Sequence, residues 1–187
     1  MNRLSRLSFL LASTLLIAEP LTQEQMIQKA NEVSGKLLQT LGGELKTQMQ
    51  AGGAMQALNF CSHNALALTD NVAKDSSVEI KRVSDLNRNP INAATAEEKA
   101  VLNEWRTLLA KGQPLPTGEL KKSSDGRDAY YKPIVINNEA CLKCHGGLDV
   151  NSPLAKAIKT TYPEDKAIGY KMGDLRGMVV VTFPKDK

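Results

Sequence analysis

Cys141, Cys144 and His145 stand in the run Cys141-Leu142-Lys143-Cys144-His145, a C-x-x-C-H spacing suited to one particular chemistry. Each thiol can add across one vinyl group of a porphyrin, and the two intervening residues set the sulfurs at the separation those vinyls require. The adjacent imidazole then comes up beneath the iron as an axial ligand. Gly146 and Gly147 let the chain leave the porphyrin face without steric conflict. The run therefore predicts one covalently bound haem c, with Cys141 and Cys144 as attachment residues and His145 as a metal ligand.

Three plainer readings compete. A thioredoxin-like redox pair should open a helix after a buried strand in a βαβ setting, and no parallel-sheet pattern surrounds the motif. Zinc is the stronger rival, because three cysteines and two histidines could furnish a Cys3His set. It would need Cys144 and His145 as adjacent ligands, or the distant His63 in place of the neighbour. A disulfide between Cys141 and Cys144 would close too short a loop to constrain much.

The N-terminus favours haem, since haem is joined to such motifs only outside the cytoplasm. Arg3 and Arg6 precede an uncharged run from Leu7 to Ala18, 12 residues where a hydrocarbon core needs about 20. Residues 1–20 read as a signal peptide cleaved near residues 18–20, although Leu16 and Ala18 fit the small-x-small rule only in part. An uncleaved shallow anchor is the minority alternative. No second apolar stretch follows, so the expected product is periplasmic, without stable membrane insertion.

Residues 21–187 then form one expected domain of about 167 residues, long enough to bury a core. The formal charge of +4 includes Arg3 and Arg6. Lys and Arg are dispersed, and the chain has one Trp, four Tyr and three Phe, so neither a basic stripe nor a stacking platform for nucleic acid is present.

The elements that must position the motif follow from periodicity. Met26, Ala30, Val33, Leu37, Leu41 and Leu45 predict an amphipathic helix over 22–50, weakened near its end by Gly42 and Gly43. After Gly52 and Gly53 a second helix is expected over 53–73, then an imperfect strand over 78–84 and a turn at Asn87-Arg88-Asn89-Pro90. Thr95 and Glu98 form a capping box for a helix over 95–111 that buries Val101, Leu102, Trp105, Leu108 and Leu109. Strands over 120–123 and 127–136 flank Ser124-Asp125-Gly126, a hairpin turn signal. A short helix over 153–160 and a buried strand over 177–183 complete the chain. Helices first and a mostly antiparallel sheet after predict an α+β fold.

The residue opposite His145 is the open question. Cys61, His63, Met172 and Met178 are the candidates. Cys61 and His63 are two apart on the second helix and point about 200° apart, so only one can face the haem. Ala54, Leu58, Cys61, Ala65, Leu68 and Val72 form an apolar stripe with Cys61 at its centre, whereas His63 shares its side with Gln56, Asn59 and Asp70. Small alanines around Cys61 would let a flat macrocycle approach. A buried structural thiol is the plainer reading of Cys61, and a surface side chain that of His63. Met172 and Met178 read as loop or core.

The stretches FCSHNA around Cys61, IKRVSDLNRNPIN, YYKPI, CLKCHG and YPEDKAIGYKMGDLRGMVVVTF cover nearly all of residues 21–187 in order. On them the chain resembles the single-haem c-type proteins with a PAS-like fold, found as stand-alone exported proteins and as sensor domains of bacterial kinases. The resemblance implies an antiparallel PAS-like sheet with long N-terminal helices packed on it. It also implies His/Cys axial ligation, which falls on His145 and Cys61. No transmitter domain is expected within this chain, so a signal would pass to a separate protein partner.

A thiolate ligand stabilises ferric iron and lowers the reduction potential. The metal in turn favours the thiolate. Reduction is expected to release Cys61 and to leave room for carbon monoxide or nitric oxide, which describes a non-enzymatic redox or gas sensor. A small electron-transfer cytochrome with a redox partner is the alternative, and a peroxidase-like enzyme a weaker third, since no acid or base residue near an open position is evident. Arg82, Arg88, Lys132 and Arg176 are the candidates for pairing the haem propionates, and the sequence does not choose among them.

Overall fold

The computed structural model describes residues 20–185. The expected signal segment, apart from Pro20, lies outside them. Helix α1 (Gln23–Ser76) opens with a capping box, in which the Thr22 side chain accepts from the Gln25 N–H and the Gln25 side chain accepts from the Thr22 N–H. Its 54 residues do not form one rod. Gly52 (φ −163°, ψ 24°) and Gly53 (φ 69°, ψ −161°) leave helical geometry. Lys36 pairs with Asp75 at 3.2 Å, although a straight helix would hold these residues about 58 Å apart. α1 is therefore an antiparallel helical hairpin with arms 23–51 and 54–76, as the paired glycines predict. Gly42 and Gly43 lie exposed within the first arm and do not interrupt it. The second arm runs three residues beyond its expected end and stops where Ser77 adopts the left-handed conformation (φ 53°, ψ 42°).

Four strands follow in the order β1-β4-β3-β2, all neighbours antiparallel: β1 (Glu79–Val83), β2 (Glu119–Lys122), β3 (Asp128–Val135) and β4 (Leu175–Thr182). Helix α2 (Ala96–Ala110) carries the Thr95/Glu98 capping box read from the sequence. The sheet is covered on both faces. Met26, Ala30, Val33, Leu37 and Val72 of the hairpin pack on Ile80, Tyr130, Val179 and Val181. Val101, Leu102 and Trp105 of α2 pack on Ala129, Tyr131, Met178 and Val180. This is the expected α+β arrangement, with helices on an antiparallel sheet. No helix among the described residues is long and apolar enough to cross a membrane.

Two short helices occupy the connection between β3 and β4: α3 (Glu139–His145) and α4 (Pro153–Thr161). Only α4 has the length for a periodic signal. The 7-residue α3 rests on its cap, the Asn138 side chain accepting from the Ala140 N–H at 2.8 Å. A small third cluster of Ile136, Ala167 and Tyr170, with Cys141 and Leu142 against it, fixes this connection at the end of β3.

Candidate functional site

Helix α3 turns the C-x-x-C-H spacing into a surface. On a helix, Cys144 lies about 60° to one side of Cys141 and His145 about 40° to the other, so all three side chains share one face. All three are half-buried. The cysteines are free, as is Cys61, so the Cys141–Cys144 disulfide reading is not what the fold forms. Among the described residues no group of three or more His, Cys, Asp or Glu converges as a metal-holding set.

The motif is held from behind by the loop before β4. The Tyr170 N–H donates to the His145 carbonyl at 2.9 Å and the Gly169 N–H to the Gly146 carbonyl at 3.1 Å. A side chain at Gly146 would press on the Leu142 carbonyl, with its Cβ at 2.7 Å, so the exit from α3 needs glycine. Arg88 adds a clamp. It pairs with Asp165 at 3.1 Å and donates to the carbonyls of Cys144 at 2.5 Å and Ala167 at 3.2 Å.

His145 itself is fixed in tautomer and direction. Its Nδ1 lies 2.8 Å from the Ala167 carbonyl. A carbonyl only accepts, so Nδ1 carries the proton and Nε2 keeps a bare lone pair. Tyr170 stands edge-on to the ring, centroids 6.1 Å apart. Burial, with the Arg176 and Arg88 cations adding to it, pulls the imidazole down to about 3. The ring is therefore neutral at neutral pH, which is the state a metal ligand needs.

The second arm of α1 carries Cys61, half-buried, on the side toward α3. Cys61 and Cys144 lie within electrostatic reach of one another, and Arg82 of β1 within reach of Cys61. Burial pushes the Cys61 thiol up, Arg82 opposes that shift, and Cys144 and Glu44 reinforce it. Tyr162, after α4, adds a phenol near Cys61, Arg82 and Arg88. His63 is exposed on another side of the arm. Its Nδ1 donates to the Asn59 carbonyl at 2.7 Å, and it lines an open groove of about 740 Å³ shared with Leu58, Ala157 and Tyr162. Met178 is fully buried in the α2-side core and Met172 is exposed.

Of the four basic candidates, two are committed elsewhere. Arg88 is the clamp just described, and Lys132 donates to Asn31 at 2.9 Å and to the Thr117 carbonyl at 3.2 Å. Arg82 and Arg176 remain. Arg82 Nε is shut off from solvent with no hydrogen-bond partner, an omission that costs about 1–3 kcal/mol when nothing fills it. Burial and the nearby Arg176 cation hold Arg82 below the ordinary arginine value. The sequence did not single out Tyr162, Tyr170, Ala167 or Asp165 as part of the site. They lie in the stretch YPEDKAIGYKMGD, whose resemblance was legible although its roles were not.

A family model of Tll0287-like proteins matches residues 18–184. The chain belongs to the Tll0287-like family. Its fold is similar to that in the crystal structure of the cyanobacterial heme-protein Tll0287, with a TM-score of 0.68 and 23% identity, covering 89% of this chain and 99% of that one. At that identity the likeness establishes a common fold. No curated protein matches the chain.

Proposed function

We propose that this member of the Tll0287-like family is an exported c-type protein with one covalent haem, acting as a redox or gas sensor. Cys141 and Cys144 would attach the cofactor, and His145 and Cys61 would ligate its iron. The observation that carries the reading is His145: a neutral ring, its Nδ1–H on the Ala167 carbonyl at 2.8 Å, with Nε2 free beside two unoxidised cysteines on one helix face. The solved structure of similar fold is that of a heme-protein, which agrees. Each thiol adds its sulfur and its hydrogen across one vinyl group, a step that needs no oxidant.

When bound, the haem supplies an iron whose charge changes by one on reduction and which accepts carbon monoxide or nitric oxide where a ligand has left. The chain supplies the balance between ligand held and ligand released. Burial favours the neutral Cys61 thiol, Arg82 favours the thiolate, and a less positive centre tips that balance toward the thiol. Enzymatic turnover is not part of the proposal. A separate protein partner reads the change, and the mature protein resides in the periplasm after cleavage near residues 18–20.

The test is absorption and paramagnetic resonance spectroscopy of the matured protein in both redox states, with and without carbon monoxide. A low-spin thiolate-type ferric signal, with carbon monoxide binding only after reduction, is the expected result. Cys61→Ser should abolish that signal and raise the potential. A six-coordinate spectrum that ignores carbon monoxide in both states would instead make the protein an electron carrier.

A further inference from the structure

Arg82 and Arg176 come within electrostatic reach of one another, the first from a regular strand position and the second from a local departure from the sheet. Arg82 sits on β1 opposite Val179, on the same side of the strand as Ile80, and so on the face that the hairpin covers. On β4 the register slips. Ile134 pairs with Gly177 but Val135 pairs with Leu175, which leaves Arg176 as the extra residue of a β-bulge. Without the bulge, Arg176 would follow Met178 and Val180 into the α2-side core, where a guanidinium has no place. The bulge turns it out instead. Its guanidinium lies over the Tyr170 ring, 5.4 Å from the centroid, and donates to the Leu86 carbonyl at 3.3 Å. Gly177 makes the distortion feasible, since a Cβ there would strike the Val83 carbonyl of β1.

Charge sharpens the point. Arg88 has Asp165 as its counter-ion at 3.1 Å. Among the described residues neither Arg82 nor Arg176 has an ion-pair partner, and Arg82 Nε lacks even a neutral acceptor. The Cys61 thiolate could offset one of these cations at most. Two half-buried guanidiniums within electrostatic reach of one another, one with an orphaned donor, are suited to bind anions. Arginine is also the side chain that meets planar carboxylates with a matched pair of donors.

We infer that Arg82 and the bulge residue Arg176 together form a carboxylate-binding site and hold the two propionates of the haem, while Arg88 and Lys132 do not. The inference rests on the haem reading of the preceding subsection and assigns to it two positioning residues. It gives the β4 bulge a purpose. It also makes Arg82 the one side chain shared between the Cys61 sulfur and the carboxylate site.

The experiment is resonance Raman spectroscopy of the matured protein, reading the propionate-bending band in wild type, Arg82→Gln, Arg176→Gln and Lys132→Gln. Arg82→Lys is included because it keeps the charge if the glutamine variant folds poorly. The expected result is a shifted band in both arginine-to-glutamine variants, partial recovery in Arg82→Lys, and an unmoved band in Lys132→Gln. A bare protein without haem would overturn this inference and the proposed function together. Haem present with the band unmoved in both arginine variants would overturn the inference alone. A free anion is the other source of the same chemistry, and acetate and phosphate titrations of the ferric spectrum distinguish it. A saturable acetate or phosphate response that Arg82→Gln removes would show a free-anion site and overturn the propionate assignment. No saturable response is expected.

Discussion

Arg82 and Arg88 are six positions apart, yet one is bound by three contacts and the other has a donor with none. Sequence reading could not separate them, because Asp165, which claims Arg88, lies 77 residues away. The C-x-x-C-H run was legible for the opposite reason, since the attachment chemistry proposed for it needs only a spacing set within five residues. Helical periodicity put Cys61 and His63 on different sides of the second arm, one half-buried and the other exposed, as found. The Arg88–Asp165 pair is buried, the side chains 12% and 5% exposed. Arg88→Ala would strand that carboxylate, so unfolding by urea should show a loss of about 3 kcal/mol. Asp165→Asn added to it should recover part of that loss. Asp85 tests the electrostatics at a second ion pair. Burial raises its carboxyl, but the Arg106 hydrogen bonds of 2.6 Å and the Arg106 charge outweigh that and leave it below the usual carboxylate range. A depressed carboxyl stabilises the fold above its unfolded value of about 4 and ceases to do so as pH falls through the folded value. Asp85→Asn should therefore cost about 1 kcal/mol at neutral pH, discounted for partial exposure. The gap to wild type should close as acid titrates the pair, measured by denaturation at a series of pH values.

At the level of elements, the sequence located most boundaries to within a few residues, and its successes trace to local chemistry. The capping box at Thr95 and Glu98 marked the start of α2, and the paired glycines marked the hairpin turn of α1. Gly53 occupies backbone space that only glycine enters cheaply (φ 69°, ψ −161°). Gly53→Ala should cost roughly 1–3 kcal/mol, and circular dichroism at increasing temperature would register it. A null effect there would mean the arms do not depend on this turn. Thr95→Ala removes the α2 cap and should cost about 1 kcal/mol, measured the same way. Two elements escaped the sequence reading. Helix α3 is too short for periodicity to reveal, and the bulge that starts β4 at Leu175, two residues before the expected Gly177, depends on pairing with β3. Such features are set by tertiary partners, which no local pattern encodes.

Across the whole molecule the protein divides into a heavily packed sheet with helices on both faces and a lightly packed flank around Ile136, Ala167 and Tyr170 that carries the motif. A flank with so small a core has few apolar contacts of its own to hold it. Blocking attachment with Cys141→Ala and Cys144→Ala should leave amide protection in β3 and β4 intact and strip it from 139–173, as hydrogen exchange would show. Uniform loss across the sheet would refute this division. The helical hairpin crosses between the two regions. Its second arm is gripped at Val72 by the sheet core and ends at an exposed turn flanked by Met55 and Gln56. In mechanical terms it is a lever anchored in the sheet core, with Ala57 and Leu58 packed near its tip. Cys61 lies about 16 Å along that lever and Gly53 about 28 Å along it. Any tilt that begins at the sulfur arrives at the tip enlarged nearly twofold, on a surface that a neighbouring molecule can touch.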